Sequence, residues 1–293
     1  MSLKTSKSLK EVWSQLWGEL LPIYEEQEAK TISKWALEYI LGYSWQHMLL
    51  NSQDFSPENL QQLAEMKARL IKGEPIQYVL GEVHFYGRVF KVRPGVLIPR
   101  RETEELVEWV LTDLIPDLAH VPSILDIGTG TGCIPISLER ELTRKSLVSY
   151  VRGMDISETA LEIARENAQT LGAKVGLDQV DIFQADEASY AELDVLVSNP
   201  PYVPISDKSD IHINVAEYEP EQALFVKDED PLIFYKRIAQ LGLHWLKKGG
   251  KLYFEVYADY ASQVKNTMEE EGYEEVTIKK DMQGRDRMLR GTK

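Results

Sequence analysis

The chain has 293 residues and a formal net charge of −14, with 43% hydrophobic and 27% charged residues. This length accommodates one large domain or two ordinary ones, and the composition is that of a globular protein rather than a disordered or fibrous one. The excess of acidic residues would repel nucleic-acid phosphates, so a nucleic-acid substrate is disfavoured from the start.

Location and metal chemistry are constrained by features that the sequence lacks. No apolar run approaches the roughly 20 residues that span a bilayer. The first ten residues, MSLKTSKSLK, lack the hydrophobic segment of a signal peptide, so we expect a cytoplasmic protein. The single Cys133 excludes an intramolecular disulfide. We expect no metal site, because the histidines lack metal-ligand spacing: His47, His84, His120, His212 and His244.

Helical periodicity dominates the first 73 residues. Apolar residues recur at helical spacing in three stripes: Trp13, Leu16, Trp17, Leu20 and Leu21; Ile32, Trp35, Ala36, Tyr39 and Ile40; Leu60, Leu63, Met66 and Leu70. Gly42 is placed to end the second helix. Ser56 suits the N-cap of the third helix, Pro57 its first position, and Gly73 lies past its end. These stripes predict the core of a small helical bundle in preference to a ligand site.

The pattern changes at residue 75. β-branched and aromatic residues around Gly81 and Gly87 predict a short hairpin between residues 75 and 92. Residues 93–100 are too rich in proline for a central strand, and a helix is expected from about Thr103 to Leu111. We therefore predict a helical domain over 1–74, a hairpin linker over 75–100 and a second domain over 101–293.

Strands and helices alternate from residue 123 onward. The predicted strands are 124–127, 147–154, 175–180, 195–198 and 252–256; the predicted helices begin after Gly132 and span 157–171, 231–246 and 259–271. This alternation is typical of a doubly wound, mostly parallel sheet covered on both faces. Residues 276–289, interrupted by Gln283 and Gly284, predict a terminal antiparallel hairpin.

A glycine-rich loop follows the first strand of this region. Residues Gly128, Thr129, Gly130, Thr131 and Gly132 lie between strand 124–127 and the next helix. In a doubly wound sheet, glycines at this turn let the backbone approach a ligand, and the helix N-terminus favours anionic groups. The spacing matches neither G-x-G-x-x-G nor a phosphate loop, and some glycine-rich turns bind nothing. We predict a ligand site here and interpret the adjacent Cys133 as a packing residue.

Acidic residues end the next two strands. Asp155 is a candidate to accept hydrogen bonds from both hydroxyls of a ribose, because its two oxygens match two adjacent donors. The alternative is that Asp155 or Ser157 caps the following helix, and Ser157 suits that role better. Asp181 is a weaker candidate for an adenine amino group, with Ile182 or Phe183 packed on the ring.

The fourth strand runs into Asn199, Pro200, Pro201 and Tyr202. The prolines end the strand and fix a rigid turn, where carbonyls and the Asn199 side chain supply acceptors and Tyr202 an aromatic face. Such a turn holds a planar NH2 group, whose nitrogen can then pyramidalise and attack an electrophilic methyl carbon. The alternative is a proline-rich loop without chemistry.

These segments resemble the class I S-adenosylmethionine-dependent methyltransferases, and within them the release factor glutamine methyltransferases. The resemblance covers nearly the whole chain and rests on GEPIQYVLGEVHFYG, VLIPRRETEELVEWVL, ILDIGTGTGCIPISL, SNPPYVP, YEPEQALF and GRDRM. It implies a seven-stranded methyltransferase sheet with an antiparallel C-terminal strand and an N-terminal helical bundle that helps hold a peptide chain release factor. The implied methyl acceptor is the glutamine of the release factor's Gly-Gly-Gln loop.

The resemblance also implies roles for individual residues. Gly128, Thr129, Gly130, Thr131, Gly132, Asp155, Ile182 and Asn199 would contact S-adenosyl-L-methionine, which leaves as S-adenosyl-L-homocysteine. Asn199 and the main chain of Pro200 would hold the glutamine amide beside Pro201, and Tyr202 would pack on it. Arg101 and Tyr257 depart from the family pattern, where proline and glycine are usual. Glu255 is interpreted as structural.

Two other functions remain open at this point. An amino-methyltransferase acting on adenine in DNA or RNA shares the Asn-Pro-Pro-Tyr turn, but residues 121–293 carry 20 Lys plus Arg against 30 Asp plus Glu, whereas a nucleic-acid enzyme usually has a basic surface around its site. A non-catalytic cofactor-binding protein would not need that turn. We expect a monomeric enzyme whose partner is a release factor, and neither a nucleic acid nor a membrane.

Overall fold

The computed structural model describes residues 8–51, 54–117 and 120–293. In chain order the elements are α1 (Leu9–Leu20), α2 (Glu26–Leu41), α3 (Trp45–Leu50), α4 (Pro57–Leu70), α5 (Ile76–Leu80), β1 (Glu82–Phe85), β2 (Arg88–Lys91), α6 (Arg101–Leu114), β3 (Ser123–Ile127), α7 (Cys133–Arg144), β4 (Tyr150–Asp155), α8 (Glu158–Leu171), β5 (Val175–Gln179), β6 (Leu193–Ser198), β7 (Val203–Pro204), α9 (Ile213–Ala216), α10 (Glu221–Leu224), β8 (Phe225–Val226), α11 (Ile233–Trp245), β9 (Leu246–Glu255), α12 (Ala261–Glu271), β10 (Glu274–Lys280) and β11 (Asp286–Thr292). The chain forms two compact units, Met1–Gly81 with Ile213–Tyr218, and Glu82–His212 with Glu219–Lys293.

The first unit is the predicted helical bundle. The Ser56 hydroxyl accepts a hydrogen bond from the Asn59 amide at 3.1 Å, so α4 begins at Pro57 as predicted. Gly42 ends α2 with a φ of 69°, the left-handed conformation that favours glycine. The buried centre of the stripes forms one core: Leu16, Leu20, Ile32, Ala36, Leu63, Met66 and Leu70.

Three residues predicted as core lie instead at the solvent edge of their helices. Leu21 is 45% exposed, and Tyr39 and Leu60 are each 41% exposed. A helix buries only part of its circumference, and the outermost residues of a wide apolar stripe remain in contact with water. The unit also includes a segment that the sequence does not predict there, because the Tyr218 hydroxyl donates to the Lys72 carbonyl at 2.8 Å.

The second unit opens with an antiparallel hairpin that is shorter than predicted. Strands β1 and β2 pair from Glu82 to Lys91. Residues 76–80 of the predicted hairpin are helical, so the prediction is wrong there. Their β-branched and aromatic side chains pack as one turn of helix, which Gly81 ends at a φ of 77°.

The core of the second unit is a seven-stranded sheet with the order β10-β11-β9-β6-β3-β4-β5. Strands β5, β4, β3, β6 and β9 run parallel, and β11 is antiparallel to both β9 and β10. The predicted doubly wound sheet with an antiparallel C-terminal strand is therefore confirmed.

Two strand boundaries differ from the predicted ones. Strand β4 starts at Tyr150 rather than at 147, after Ser146 adopts a φ of 61°. Strand β9 starts at Leu246, six residues earlier than predicted. Its pairing with β6 shifts register between Leu193 and Val195, and this irregularity accommodates Gly249 and Gly250 within the strand.

Helices cover both faces of the sheet, as a doubly wound topology requires. Alternate residues of β6 point to opposite sides: Leu196 packs with α11 and α12, whereas Val195 and Val197 pack with α6 and α7. The sheet is thus buried on both faces, and its carboxyl edge is left to carry the polar groups. Within the described ranges, no helix combines the length and the apolar character needed to cross a membrane.

Candidate active site

A cavity of about 280 Å³ lies at the carboxyl ends of β3, β4, β5 and β6 in the second unit. Parallel strands bring the residues that follow them to one edge of the sheet, which is where ligands bind in this architecture. The lining includes most of the predicted site: Gly128, Gly130, Asp155, Asp181, Ile182, Phe183, Asn199, Pro200 and Pro201. Residues that the sequence places far apart therefore share one wall.

The glycine loop forms the floor of this cavity. Gly128, Gly130 and Gly132 all have positive φ angles, between 53° and 77°, which glycine adopts without strain. A Cβ at Gly132 would lie 2.9 Å from Ile136 and 3.2 Å from Ala164. Gly132 therefore lets α7 pack against α8, whereas Gly128 and Gly130 face the cavity.

The two threonines of the loop do not line the cavity. Thr129 is 4% and Thr131 is 2% exposed. A Cβ at Gly153 would lie 2.6 Å from the Thr129 hydroxyl oxygen, so this threonine packs against β4. The Thr131 carbonyl accepts a hydrogen bond from the Asn167 side chain at 3.0 Å. Both threonines therefore stabilise the glycine loop on the side that does not line the cavity.

Asp155 joins the end of β4 to the glycine loop. Its Oδ2 accepts a hydrogen bond from the Gly130 amide and its Oδ1 from the Ser157 amide, each at 2.9 Å. Burial raises the pKa of this carboxyl, and the backbone amides oppose that rise. Ser157 is the N-cap of α8, with its hydroxyl accepting from the Ala160 amide at 3.2 Å. Asp155 is therefore not the cap, and its carboxylate, which lines the cavity, keeps acceptor capacity for a ligand.

The segment after β5 supplies the apolar wall. The Asp181 carboxylate accepts a hydrogen bond from the Phe183 amide at 2.9 Å. Ile182 is 7% exposed, and its carbonyl accepts from Arg237 at 3.1 Å. Phe183 packs on Phe234 with ring centroids 5.1 Å apart. This wall combines one carboxylate with apolar surface, the environment expected for an aromatic base.

The Asn-Pro-Pro-Tyr turn follows β6 and faces the glycine loop. Ser198 pairs in register with Ile127 and donates its hydroxyl to the Ile127 carbonyl at 2.7 Å, which fixes the end of β6 beside β3. Asn199, Pro200 and Pro201 then line the cavity. The turn is positioned by the sheet itself, because buried strands on both sides hold β6.

Tyr202 is not part of the cavity lining. Its ring is partly buried and stacks on Tyr257 with centroids 5.9 Å apart at 23°. Its hydroxyl donates to Oε1 of Glu255 at 3.3 Å. Burial and the nearby Glu255 carboxylate raise the pKa of the Tyr202 phenol. Tyr257, one of the two departures from the family pattern, thus contacts the turn.

Two buried residues that contact this turn were not predicted as site residues. Glu255 is 1% exposed at the end of β9, and Thr103 is 2% exposed in the first turn of α6. The Thr103 hydroxyl donates a hydrogen bond to Glu255 at 2.6 Å and accepts one from the side-chain NH2 of Asn199 at 3.3 Å. Burial raises the pKa of Glu255, while the Thr103 hydroxyl and Arg287 oppose that rise.

The wall opposite the strands comes from two segments that sequence reasoning did not place at the site. Residues 95–97 and the stretch that includes Pro220 and Gln222 line the cavity. Glu219, 4% exposed, holds both segments together by accepting from the Ile98 amide at 2.9 Å and pairing with Arg100. The VLIPR and YEPEQALF segments were the available signal, because both carry the resemblance.

Comparison with known proteins agrees with this geometry. A family model described as a methyltransferase domain matches residues 122–287, and one described as the PrmC N-terminal domain matches residues 18–81. The release factor glutamine methyltransferase of Bacteroides thetaiotaomicron is 43% identical over 271 residues, covering 92% of this chain and 95% of that protein. The chain belongs to the release factor glutamine methyltransferase family. The family member from Flavobacterium psychrophilum is 38% identical and covers 96% of this chain and 98% of its own length.

Solved structures share the fold at low identity. The hMettl16 catalytic domain in complex with MAT2A 3′UTR hairpin 1 superposes with a TM-score of 0.51 at 16% identity, covering 81% of each chain. A T. thermophilus 16S rRNA methyltransferase in complex with AdoMet and guanosine gives a TM-score of 0.51 at 17% identity, covering 72% of this chain and 49% of that one. These similarities concern the methyltransferase fold alone.

Proposed function

We propose that this chain transfers a methyl group from S-adenosyl-L-methionine to the side-chain amide nitrogen of the glutamine in the Gly-Gly-Gln motif of peptide chain release factors. The observation that carries the proposal is that Asn199 and Pro200 line the same cavity as Gly128, Gly130 and Asp155. An amide-binding turn and a glycine loop on one cavity place a methyl acceptor beside a methyl donor. The relatives that share most of this chain are named for that reaction.

The cavity residues fit the cofactor. The backbone at Gly128 and Gly130 has no side chain to obstruct a ligand, and the Asp155 carboxylate lines the cavity, where it would accept from the ribose hydroxyls. Ile182 and Phe183 offer apolar surface for the adenine, with Asp181 beside them. When bound, S-adenosyl-L-methionine supplies an electrophilic sulfonium methyl and leaves as S-adenosyl-L-homocysteine.

The Asn-Pro-Pro-Tyr turn would activate the acceptor nitrogen. An amide nitrogen is a poor nucleophile, because its lone pair is delocalised into the carbonyl. Oδ1 of Asn199 and the Pro200 carbonyl would accept its two hydrogens and let the nitrogen pyramidalise. Tyr202, which does not line the cavity, would support the turn through its stacking on Tyr257 and its hydrogen bond to Glu255. Transfer would form the bond between the amide nitrogen and the methyl carbon as the carbon–sulfur bond breaks, and the surplus proton would leave to water. Positioning provides most of the catalysis.

Further expectations about partner, oligomeric state and location belong to this proposal. The helical region predicted over 1–74 would help hold the release factor, and the enzyme would act as a monomer in the cytoplasm, where translation takes place. Methylation of adenine in DNA or RNA is not favoured, because the curated relatives are named for a protein glutamine.

The test is incubation of the enzyme with a purified release factor and S-adenosyl-L-methionine carrying a labelled methyl group. One added methyl on the Gly-Gly-Gln glutamine, located by mass spectrometry of the peptide, is the expected result. An unlabelled release factor would overturn the proposal, as would label that survives Gln-to-Ala replacement in that loop. Labelled duplex DNA in a parallel reaction would support the adenine alternative.

A further inference from the structure

The side chain of Asn199 belongs to a chain of hydrogen bonds that ends on a buried carboxylate. Asn199 Nδ2 donates to Thr103 Oγ1 at 3.3 Å, and Thr103 Oγ1 donates to Glu255 Oε2 at 2.6 Å. Ser198 of β6 and Phe254 of β9 are paired in parallel register, which brings Asn199 and Glu255, the residues that follow them, alongside each other. The sheet thus places a carboxylate behind the amide-binding turn.

The donor-to-acceptor direction of these two hydrogen bonds fixes the orientation of the Asn199 side-chain amide. A hydroxyl has one proton to donate, and that of Thr103 is used on Glu255. Thr103 can therefore only accept from Asn199. If the amide rotated by half a turn, Oδ1 would face the oxygen of the buried Thr103 with no proton between them, which is an unfavourable contact. The group of Asn199 left for the cavity is then the acceptor oxygen.

We propose that Glu255 and Thr103 are positioning residues that hold Oδ1 of Asn199 toward the substrate amide. The inference rests on the proposed function and deepens it. It also changes the interpretation of Glu255, which the sequence alone suggested was structural. An acceptor that must take a hydrogen from a glutamine NH2 group fails if the amide presents its own NH2 instead, so the orientation decides whether the turn works.

The second oxygen of the same carboxylate forms a hydrogen bond with the aromatic residue of the turn. Glu255 Oε1 accepts from the Tyr202 hydroxyl at 3.3 Å. One buried group therefore fixes both ends of the Asn-Pro-Pro-Tyr turn. The ionised form is the one that sets the polarity, since a carboxylate only accepts hydrogen bonds. Burial raises the pKa of this carboxyl and Glu102 adds to the rise, whereas the Thr103 hydroxyl, the charge of Arg287 and the Tyr202 hydroxyl favour the ionised form.

The kinetic test compares Glu255→Gln and Thr103→Val with the wild type, using release factor as substrate. Each is expected to lower kcat by about 100-fold, the effect of a misplaced reacting group. The KM for the release factor and the Kd for S-adenosyl-L-homocysteine should change by less than about threefold, because the lost interaction acts on chemistry rather than on binding. Thr103→Ser retains the hydroxyl and should recover most of the lost kcat. The double variant should lose no more than either single variant, because both break one chain.

A matched control separates positioning from folding. Glu139 in α7 is also buried, 5% exposed, and accepts from the Thr143 hydroxyl at 2.9 Å. Glu139→Gln makes the same chemical change away from the cavity and should leave kcat near that of the wild type. A kcat for Glu255→Gln within threefold of the wild type would overturn the inference. Equal losses in the two Glu→Gln variants, or multiplicative losses in the double variant, would also overturn it.

A readout without turnover distinguishes this inference from the proposed function. The Asn199 side-chain NH2 can be observed by 15N NMR and assigned by its disappearance in Asn199→Ala. Its hydrogen bond to Thr103 should slow proton exchange in the wild type, and Thr103→Val should accelerate it while the rest of the spectrum stays dispersed. If the wild type leaves release factors unmethylated but shows this behaviour, the proposed function fails and the positioning stands. Unchanged exchange in Thr103→Val refutes the positioning whatever the activity.

Discussion

The Asp155 carboxylate accepts a hydrogen bond from the backbone amide of Gly130 at 2.9 Å. This contact joins the end of β4 to the middle of the glycine loop, so one side chain both shapes the loop and faces the cavity. The residue predicted to bind a ribose is thereby held in place before any ligand arrives.

Asp155→Asn is expected to weaken cofactor binding by about 10- to 100-fold, because hydrogen bonds to a charged acceptor contribute about 1.5–3 kcal/mol. Isothermal titration with S-adenosyl-L-homocysteine measures the Kd. Asp178→Asn is the matched control: Asp178 lies on β5, pairs with Arg152 and is absent from the cavity lining. Equal affinity losses in the two variants would show that Asp155 has no direct role in binding.

Asn199→Ala is expected to reduce methyl transfer by at least about 100-fold, because it removes an acceptor needed in the transition state. The Kd for S-adenosyl-L-homocysteine should stay within about threefold of the wild type, since Asp155 and the glycine loop are intact. Single-turnover kinetics with enzyme in excess over release factor measure the chemical step. Near-normal turnover would exclude the proposed role of Asn199.

Local patterns predicted most of the fold and part of the cavity lining. Helical spacing located α1, α2 and α4, and the alternation of strands and helices predicted the sheet. The predicted ligand residues that line the cavity all lie at or within a few residues of the ends of parallel strands: Gly128 follows β3, Asp155 ends β4 and Asn199 follows β6. That a residue lies at the end of a strand can be predicted from the local sequence. The parallel topology of the sheet then brings the ends of these strands, and the residues at them, close together.

The contacts that the sequence did not reveal join residues that are distant along the chain. Thr103 and Glu255 are 152 positions apart, and Arg100 and Glu219 are 119 apart. No spacing rule relates such pairs, because they meet only after the sheet and α6 have packed. The sequence likewise does not predict that Tyr218 belongs to the helical unit, because a long-range hydrogen bond to Lys72 places it there.

Arg100→Ala is expected to destabilise the second unit by about 3 kcal/mol, because it leaves the buried Glu219 carboxylate without its cation. Urea unfolding gives the free energy. Arg165→Ala is the control, since Arg165 pairs with Glu158 and both side chains are 48% exposed. Exposed pairs contribute about 0–1 kcal/mol, so a similar loss in both variants would contradict the clamping role of Glu219.

Gly132→Ala is expected to lower Tm more than Gly172→Ala does. Both glycines have positive φ angles, 77° and 64°, so both variants carry backbone strain of about 1–2 kcal/mol. Only at Gly132 would the new methyl also lie 2.9 Å from Ile136, whereas nothing lies within 4 Å at Gly172. Calorimetry should show the larger Tm loss for Gly132→Ala. Equal losses would mean that α7 and α8 adjust freely at this contact.

The stability of the second unit should depend on pH through Asp126, a fully buried residue of β3. Burial raises the pKa of this carboxyl from its ordinary 3.8 to about 7, with Asp155 adding to the rise and the Thr129 hydroxyl opposing it. Because the native state holds the proton more tightly than the unfolded chain, this contribution is fully present below the unfolded pKa and is lost as pH rises through the folded one. Asp126→Asn cannot ionise, so relative to the wild type it should gain about 3 kcal/mol between pH 5 and pH 8. Urea unfolding of both proteins at four pH values measures the difference, and parallel curves would contradict a raised pKa.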